Sequence, residues 1–202
     1  MSARVPLLID RQLEEEEGCT SGCDVCRRLR QALLAALAWD EDPHALAAAD
    51  LAERADLAEA DLVAHYGTVD SCLAATYDEL SEELYALHVD AFDGPGDWQS
   101  RFLDGMRAAL DRIESTPGAV RLFFADELLA HPGLRTRRAA AQQRVARLVA
   151  DEVEHEQERG LPAIQVEFML GAVSHAAKAE VADGMRPARV SETLRLLEPH
   201  AA

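Results

Sequence analysis

Apolar residues return every three or four positions along almost all of this 202-residue chain, and no segment alternates apolar and polar residues one by one. Leu29, Leu33, Leu34 and Leu37 set the pattern early. A spacing near 3.6 gives a helix one apolar stripe, whereas a half-buried strand needs a spacing of two. The chain must therefore bury helix against helix. Composition points the same way. Hydrophobic residues make up 49% of the sequence but aromatics only 5%. Alanine and leucine dominate, and neither has the β-branch or ring that suits a pleated surface. The fold class is all-α.

Breaks in the pattern divide the chain into about nine helices. The first covers roughly Asp24 to Trp39. Asp42 followed by Pro43 predicts the start of a second, running to about Ala55, because an acceptor at the cap and a residue without N–H suit a helix N-terminus. A short helix at Glu59–Tyr66 ends at Gly67, and Thr68 can cap a longer one that reaches about Phe92. Gly94-Pro95-Gly96 is the strongest break and the expected subdomain boundary. Asp97 can cap the next helix, Thr116-Pro117 starts another, and Pro132 opens a long arginine-rich one. Gly160, Pro162, Gly184 and Pro187 punctuate the remainder. The expected organisation is an acidic, cysteine-containing arm at 1–23, a three-helix subdomain with its connecting helix at 24–93, and a helical bundle at 94–202.

The net charge is −17, and it is unevenly placed. Residues 1–93 hold 21 acids against 6 bases, whereas residues 94–202 hold 16 against 14. The first half is thus acidic for a local reason and should repel nucleic acid and anionic membranes. No apolar run approaches the ~20 residues that span a bilayer. The first residues carry too short an apolar stretch for a signal peptide, and Glu14 to Glu17 follow it. The expected location is the cytoplasm, with no membrane partner.

Residues 46–80, LAAADLAERADLAEADLVAHYGTVDSCLAATYDEL, resemble the helix-turn-helix of TetR-family transcriptional regulators. The matching residues are Asp50-Leu51-Ala52-Glu53-Arg54-Ala55, Leu62, His65-Tyr66-Gly67-Thr68, Leu73 and Asp78-Glu79. Helix number and spacing downstream are similar to the family's ligand-binding domain. The resemblance implies a homodimer built on late helices, a small-molecule effector cavity, and an N-terminal subdomain that reads DNA. The departures from the family pattern fall on the DNA-facing positions. Asp56 stands where the turn usually has glycine, Ala58 where a hydroxyl caps the recognition helix, and Val69 where a lysine is usual. Glu59, Asp61, Val63 and Ala64 occupy the slots that face the groove. His65, Tyr66 and Thr68 remain as candidate phosphate contacts, with Arg27, Arg28 and Arg30 on the first helix as candidate anchors. Affinity for DNA comes largely from neutralising phosphates, and base reading needs Arg, Lys, Asn or Gln. Anionic side chains on this face argue against ordinary operator binding.

CTSGCDVC places Cys19, Cys23 and Cys26 at C-x3-C-x2-C. Thiolates at this spacing converge readily on zinc or an iron–sulfur cluster. The spacing also matches the iron–sulfur triad of radical S-adenosylmethionine enzymes, but those need an α/β barrel. Cys23 and Cys26 beside Arg27 and Arg28 equally suit a redox pair, because nearby cations lower a thiol pKa. A fourth ligand is not evident: His44 is unsupported, and Cys72 falls on a position expected to be buried.

Residues 97–183 carry no nucleophile–base pair and no glycine-rich phosphate loop. His155 among Glu152, Glu154, Glu156 and Glu158 reads as a solvated face. Trp98, Phe102, Met106, Phe123, Phe124, Leu128, Phe168 and Met169 are core candidates, and the resemblance makes them candidate walls of an effector pocket. Large and small residues mix at 168–177, where Gly171, Ala172, His175 and Ala176 are the expected dimer contacts. Two functions follow. One is a TetR-like dimeric regulator sensing a small molecule or a redox or metal state. The other is a non-DNA-binding interaction protein, a DNA mimic or adaptor whose acidic helix-turn-helix contacts a protein partner. An enzyme built on a thiolate-bound cluster ranks last, and no catalytic residue is assigned.

Overall fold

The computed structural model describes residues 22–39, 41–129, 132–156, 168–173 and 175. Eight helices follow in order: α1 (Asp24–Ala38), α2 (Ala48–Arg54), α3 (Glu59–Tyr66), α4 (Val69–Phe92), α5 (Trp98–Glu114), α6 (Ala119–Phe124), α7 (Asp126–Leu129) and α8 (Pro132–Glu156). Residues 168–173 and 175 are also helical, and no strand occurs among the described residues. The all-α expectation stands.

The leucine stripe of α1 is the keel of the N-terminal unit. Leu29, Leu33 and Leu37 are buried, and Leu51, Leu62 and Leu73 from α2, α3 and α4 join the same core. Each such side chain contributes roughly 1.5–3 kcal/mol by leaving water. The short α2 and α3 depend on that burial, since isolated helices under ~12 residues are marginal in water. The long α4 leaves this unit and packs against both α5 and α8. Tyr77, Phe102, Leu122, Leu128 and Leu134 form the second part of a continuous core.

Several caps follow the sequence. Thr68 Oγ1 accepts the Ser71 N–H at 3.1 Å, and Asp97 Oδ1 accepts the Ser100 N–H at 2.8 Å. Two expected starts move. Asp42 does accept the His44 N–H at 2.9 Å, but this closes a local turn over 43–45, and α2 begins only at Ala48. Asp and Asn bond their own backbone two residues on, so the same side chain serves a turn as readily as a cap. Thr116-Pro117 likewise forms a turn, and the expected single helix divides into α6 and α7 at Ala125, whose backbone is extended. Gly118 makes the entry to α6. Its φ is +75°, and a Cβ there would overlap the Leu34 carbonyl oxygen. Only glycine lets α6 come this close to α1.

Candidate functional site

The turn between α2 and α3 holds Asp56 at φ 53°, the left-handed region usually reserved for glycine. Asp is one of the few side chains that tolerate it. Arg28 braces the turn, donating to the Asp56 carbonyl at 2.6 Å and to its carboxylate at 2.9 Å. At the start of α3, the Asp61 carboxylate accepts the Ala58 N–H at 2.9 Å, half of a capping box with no hydroxyl opposite. Asp61 thus occupies the positive end of the helix, where a phosphate would otherwise sit. Glu59 and Ala64 are exposed, and Val63 is 53% exposed. Thr68 is exposed with its hydroxyl engaged at the start of α4. Val69 is buried, so the position where a basic residue is usual faces the core.

The arginines of this unit all face carboxylates. Arg27 pairs with Asp24, Arg28 with Asp56 and Arg54 with Glu41. Arg30 reaches across to α4, with Nε 2.5 Å and Nη2 2.7 Å from the Glu79 carboxylate, and donates to the Tyr66 hydroxyl at 3.4 Å. Burial pushes the Tyr66 phenol above its ordinary value, so it stays neutral. Among residues 22–93, no described arginine lacks an acidic partner. Exposed pairs of this kind add little stability, about 0–1 kcal/mol. Their larger effect is to neutralise the cations that would meet a phosphate.

His65 turns away from the α3 solvent face toward the start of α1. Its Nδ1 lies 3.6 Å from Cys23 Sγ and 3.4 Å from Cys26 Sγ. Cys23 is the N-cap of α1, and its sulfur accepts the Cys26 N–H at 3.3 Å. The ligand atoms of Cys23, Cys26 and His65 all lie within 4.8 Å of one another, close enough to hold a metal ion. Cys19 lies outside the described residues. Of the other donors, His44 pairs with Asp70 at 2.8 Å, and Cys72 is a buried thiol pushed up to about 12 by desolvation. Nothing local in the sequence ties His65 to the cysteines, which are 39 and 42 residues away; only the tertiary fold does.

A cavity of about 420 Å³ opens between α4, α5, α6 and α8, within the size range of small-molecule sites. Met106, Phe123 and Phe124 line it, joined by Tyr77, Leu110 and His88. Tyr77 and Phe123 stack with ring centroids 4.8 Å apart. Trp98, Phe102 and Leu128 are buried in the core and are not part of its wall. Met169 is half-buried against the core, and Phe168 is 78% exposed. His88 donates from Nδ1 to the Leu84 carbonyl at 2.7 Å and places Nε2 3.4 Å from Met106 Sδ. Desolvation lowers its pKa, so it is neutral near pH 7. The sequence does carry a signal for His88, because Leu80, Leu84, His88 and Phe92 form one stripe of i, i+4 neighbours.

The cavity rim is basic. Arg137 donates to Asp78 at 2.8 Å, and Arg144 pairs with Glu82 while its guanidinium lies 3.8 Å over the Tyr85 ring. Arg138 and Arg147 also line the cavity, and no carboxylate among the described residues pairs with either. Gly171 and His175 are exposed and Ala172 is half-buried, while Ala176 lies outside the described residues.

No protein-family model matches the sequence, and no curated protein matches it. Solved structures do match in fold. The fatty acid degradation regulator FadR from Bacillus halodurans aligns over 88% of this chain and 96% of its own, with a TM-score of 0.74 and 11% identity. A Rhodococcus protein described as a TetR-family transcriptional regulator aligns over 87% and 97%, with a TM-score of 0.68 and 16% identity. A TetR-family regulator from Streptomyces coelicolor aligns over 86% and 77%, with a TM-score of 0.64 and 16% identity. The fold of this chain is that of the TetR-family transcriptional regulators. No helix among the described residues is long and apolar enough to cross a membrane.

Proposed function

We propose that this chain is a TetR-like transcriptional regulator that works as a two-fold homodimer, senses a small organic effector, and has its ordinary operator binding weakened or relocated. The observation that carries the reading is the cavity between α4, α5, α6 and α8, with apolar walls and a rim that holds Arg138 and Arg147. Such a lining suits an elongated apolar molecule with an anionic end. A structural neighbour named for fatty acid degradation makes free fatty acids the first chemistry to try. In this reading residues 24–93 are a helix-turn-helix subdomain with its connecting helix and 94–202 the effector-binding and dimerisation domain. No catalysis is assigned, and the protein acts in the cytoplasm.

Isothermal titration with saturated fatty acids of increasing chain length tests it. One equivalent per chain at micromolar Kd is expected for the best length. The double variant Arg138→Glu, Arg147→Glu should weaken that binding about tenfold, or 1.4 kcal/mol. If neither fatty acids nor alkylamines of the same length bind, the effector reading falls. The homodimer rests on the late helix. Phe168 is exposed there beside the small residues Gly171 and Ala172, and Ala172→Arg should convert dimer to monomer in sedimentation runs, because an unpaired charge is costly to bury.

We propose further that the thiols at the start of α1 give the regulator a metal or redox input, with zinc, an iron–sulfur cluster and a disulfide as the alternatives. A second reading, an adaptor whose acidic helix-turn-helix contacts a basic protein, is favoured by one observation: each described arginine of residues 22–93 is already paired with an acid of this chain. Weak DNA binding together with tight binding to a basic protein would select it.

A further inference from the structure

We infer that Cys23, Cys26 and His65 bind a single zinc ion that fastens the recognition helix α3 to the start of α1. The inference rests on the reading of the N-terminal thiols as a metal or redox input, and it selects one of the alternatives within it.

Distances select a mononuclear ion. Zinc bonds of about 2.3 Å to sulfur and 2.0–2.1 Å to nitrogen make the sulfur-to-nitrogen edge of a tetrahedron about 3.5 Å. The two edges here are 3.6 and 3.4 Å. All three ligand atoms lie within 4.8 Å of one another. Ligands that converge this tightly address one centre, whereas a cluster spreads its thiolates over several irons.

The surroundings of Cys23 suit a ligand. Cys23 caps α1, so its sulfur meets the positive end of the helix and accepts the Cys26 N–H at 3.3 Å. Both features stabilise a thiolate. His65 aims Nδ1 at the sulfurs, so this is the nitrogen that would bind the ion. On zinc binding each thiol that is still protonated gives its proton to solvent, and no redox partner is needed. Cys19 precedes Cys23 by four residues in the sequence, and it is kept in every variant below.

The consequence falls on α3. That helix has eight residues, with only Leu62 fully buried. Little apolar surface holds it, so a metal bond through His65 is a large fraction of its anchorage. Zinc occupancy then sets how firmly the recognition helix is held, while the effector cavity lies elsewhere, against α8.

The test uses the full chain purified anaerobically. Elemental analysis should give one zinc per chain with no iron and no acid-labile sulfide. Cobalt added to metal-free protein should give thiolate charge-transfer bands and the visible bands of a tetrahedral ion. Amide hydrogen exchange across residues 59–66 should slow when zinc is added. Cys23→Ser keeps an N-cap acceptor and so keeps α1, yet it should lose the zinc. His65→Gln should weaken zinc binding at least ~100-fold, more than the ~10–100-fold typical of losing an outer-sphere partner. Wild-type affinity in His65→Gln, or stoichiometric iron with sulfide, would overturn the inference. So would a metal-free protein whose Cys23 and Cys26 form a disulfide in air, although the wider metal or redox reading would survive that result. Neither metal nor disulfide would remove both.

Discussion

The N-terminal unit and the long helix α8 handle arginine in opposite ways. In residues 22–93, Arg27, Arg28, Arg30 and Arg54 each meet a carboxylate of the same unit. On α8, Arg137 and Arg144 are paired with α4 acids, but Arg135, Arg138 and Arg147 have no carboxylate partner among the described residues. A DNA reader of this fold is expected to show the reverse, with open cations around the recognition helix. The difference explains why the charge skew of the sequence matters mechanistically. The acids of the first half do more than outnumber the bases. They pair with the bases, at the α2–α3 turn, at the α1–α4 crossing and at the end of α2.

Breaking the joint between the two regions should have the largest effect. Gly118→Ala places a Cβ against the Leu34 carbonyl at a φ of +75°. Strain of this kind costs about 1–3 kcal/mol before any clash is counted. The thermal midpoint should fall by at least ~5 °C, with both regions losing structure together because α6 packs on α1. A midpoint within 1 °C of wild type would mean that the contact is not made.

A smaller effect separates the cavity region from the reading unit by pH. His88 is buried neutral with a lowered pKa, so the unfolded chain takes up a proton first as pH falls. Stability should be intact above pH ~6.5, the unfolded value, and should decline below it toward the lower folded value. Chemical denaturation at pH 7.5 and 5.5 should therefore show a loss for wild type that is reduced in His88→Gln. Equal losses in the two proteins would assign the pH response to other groups. The smallest effect belongs to the bracing pair of the turn. Asp56→Gly removes the left-handed strain and the Arg28 contact together, and the midpoint should move by no more than about 2 °C.

Legibility from sequence follows the range of the interaction involved. Helix starts set by a local hydrogen bond, such as Thr68 and Asp97, were readable, and so was the stripe of α1. The Asp42-Pro43 and Thr116-Pro117 starts were misplaced because the same local chemistry closes a turn, and only packing decides between turn and helix. Of the aromatic and methionine candidates, Met106, Phe123 and Phe124 line the cavity while Trp98 and Phe102 lie in the core, since aromatic spacing cannot separate a wall from a core. The cysteine spacing suggests a metal or redox element, but the histidine that lies beside Cys23 and Cys26 comes from another helix. The loss of cationic side chains on α3 was plain in the sequence. The pairing of Arg27, Arg28 and Arg30 was not, because it depends on where Asp56 and Glu79 sit in space.

With its described arginines paired to acids, this helix-turn-helix lacks an open cation to grip phosphate. Fluorescence anisotropy of the protein, with and without added zinc, against DNA from its own upstream region at physiological salt is the decisive measurement. Binding should be no tighter than the ~10⁻⁴–10⁻⁶ M of non-specific association, and equal for unrelated sequence. Changing Glu59 and Asp61 to Arg and Thr should tighten it without creating sequence preference. Nanomolar binding to the upstream DNA that unrelated sequence does not compete would contradict the account.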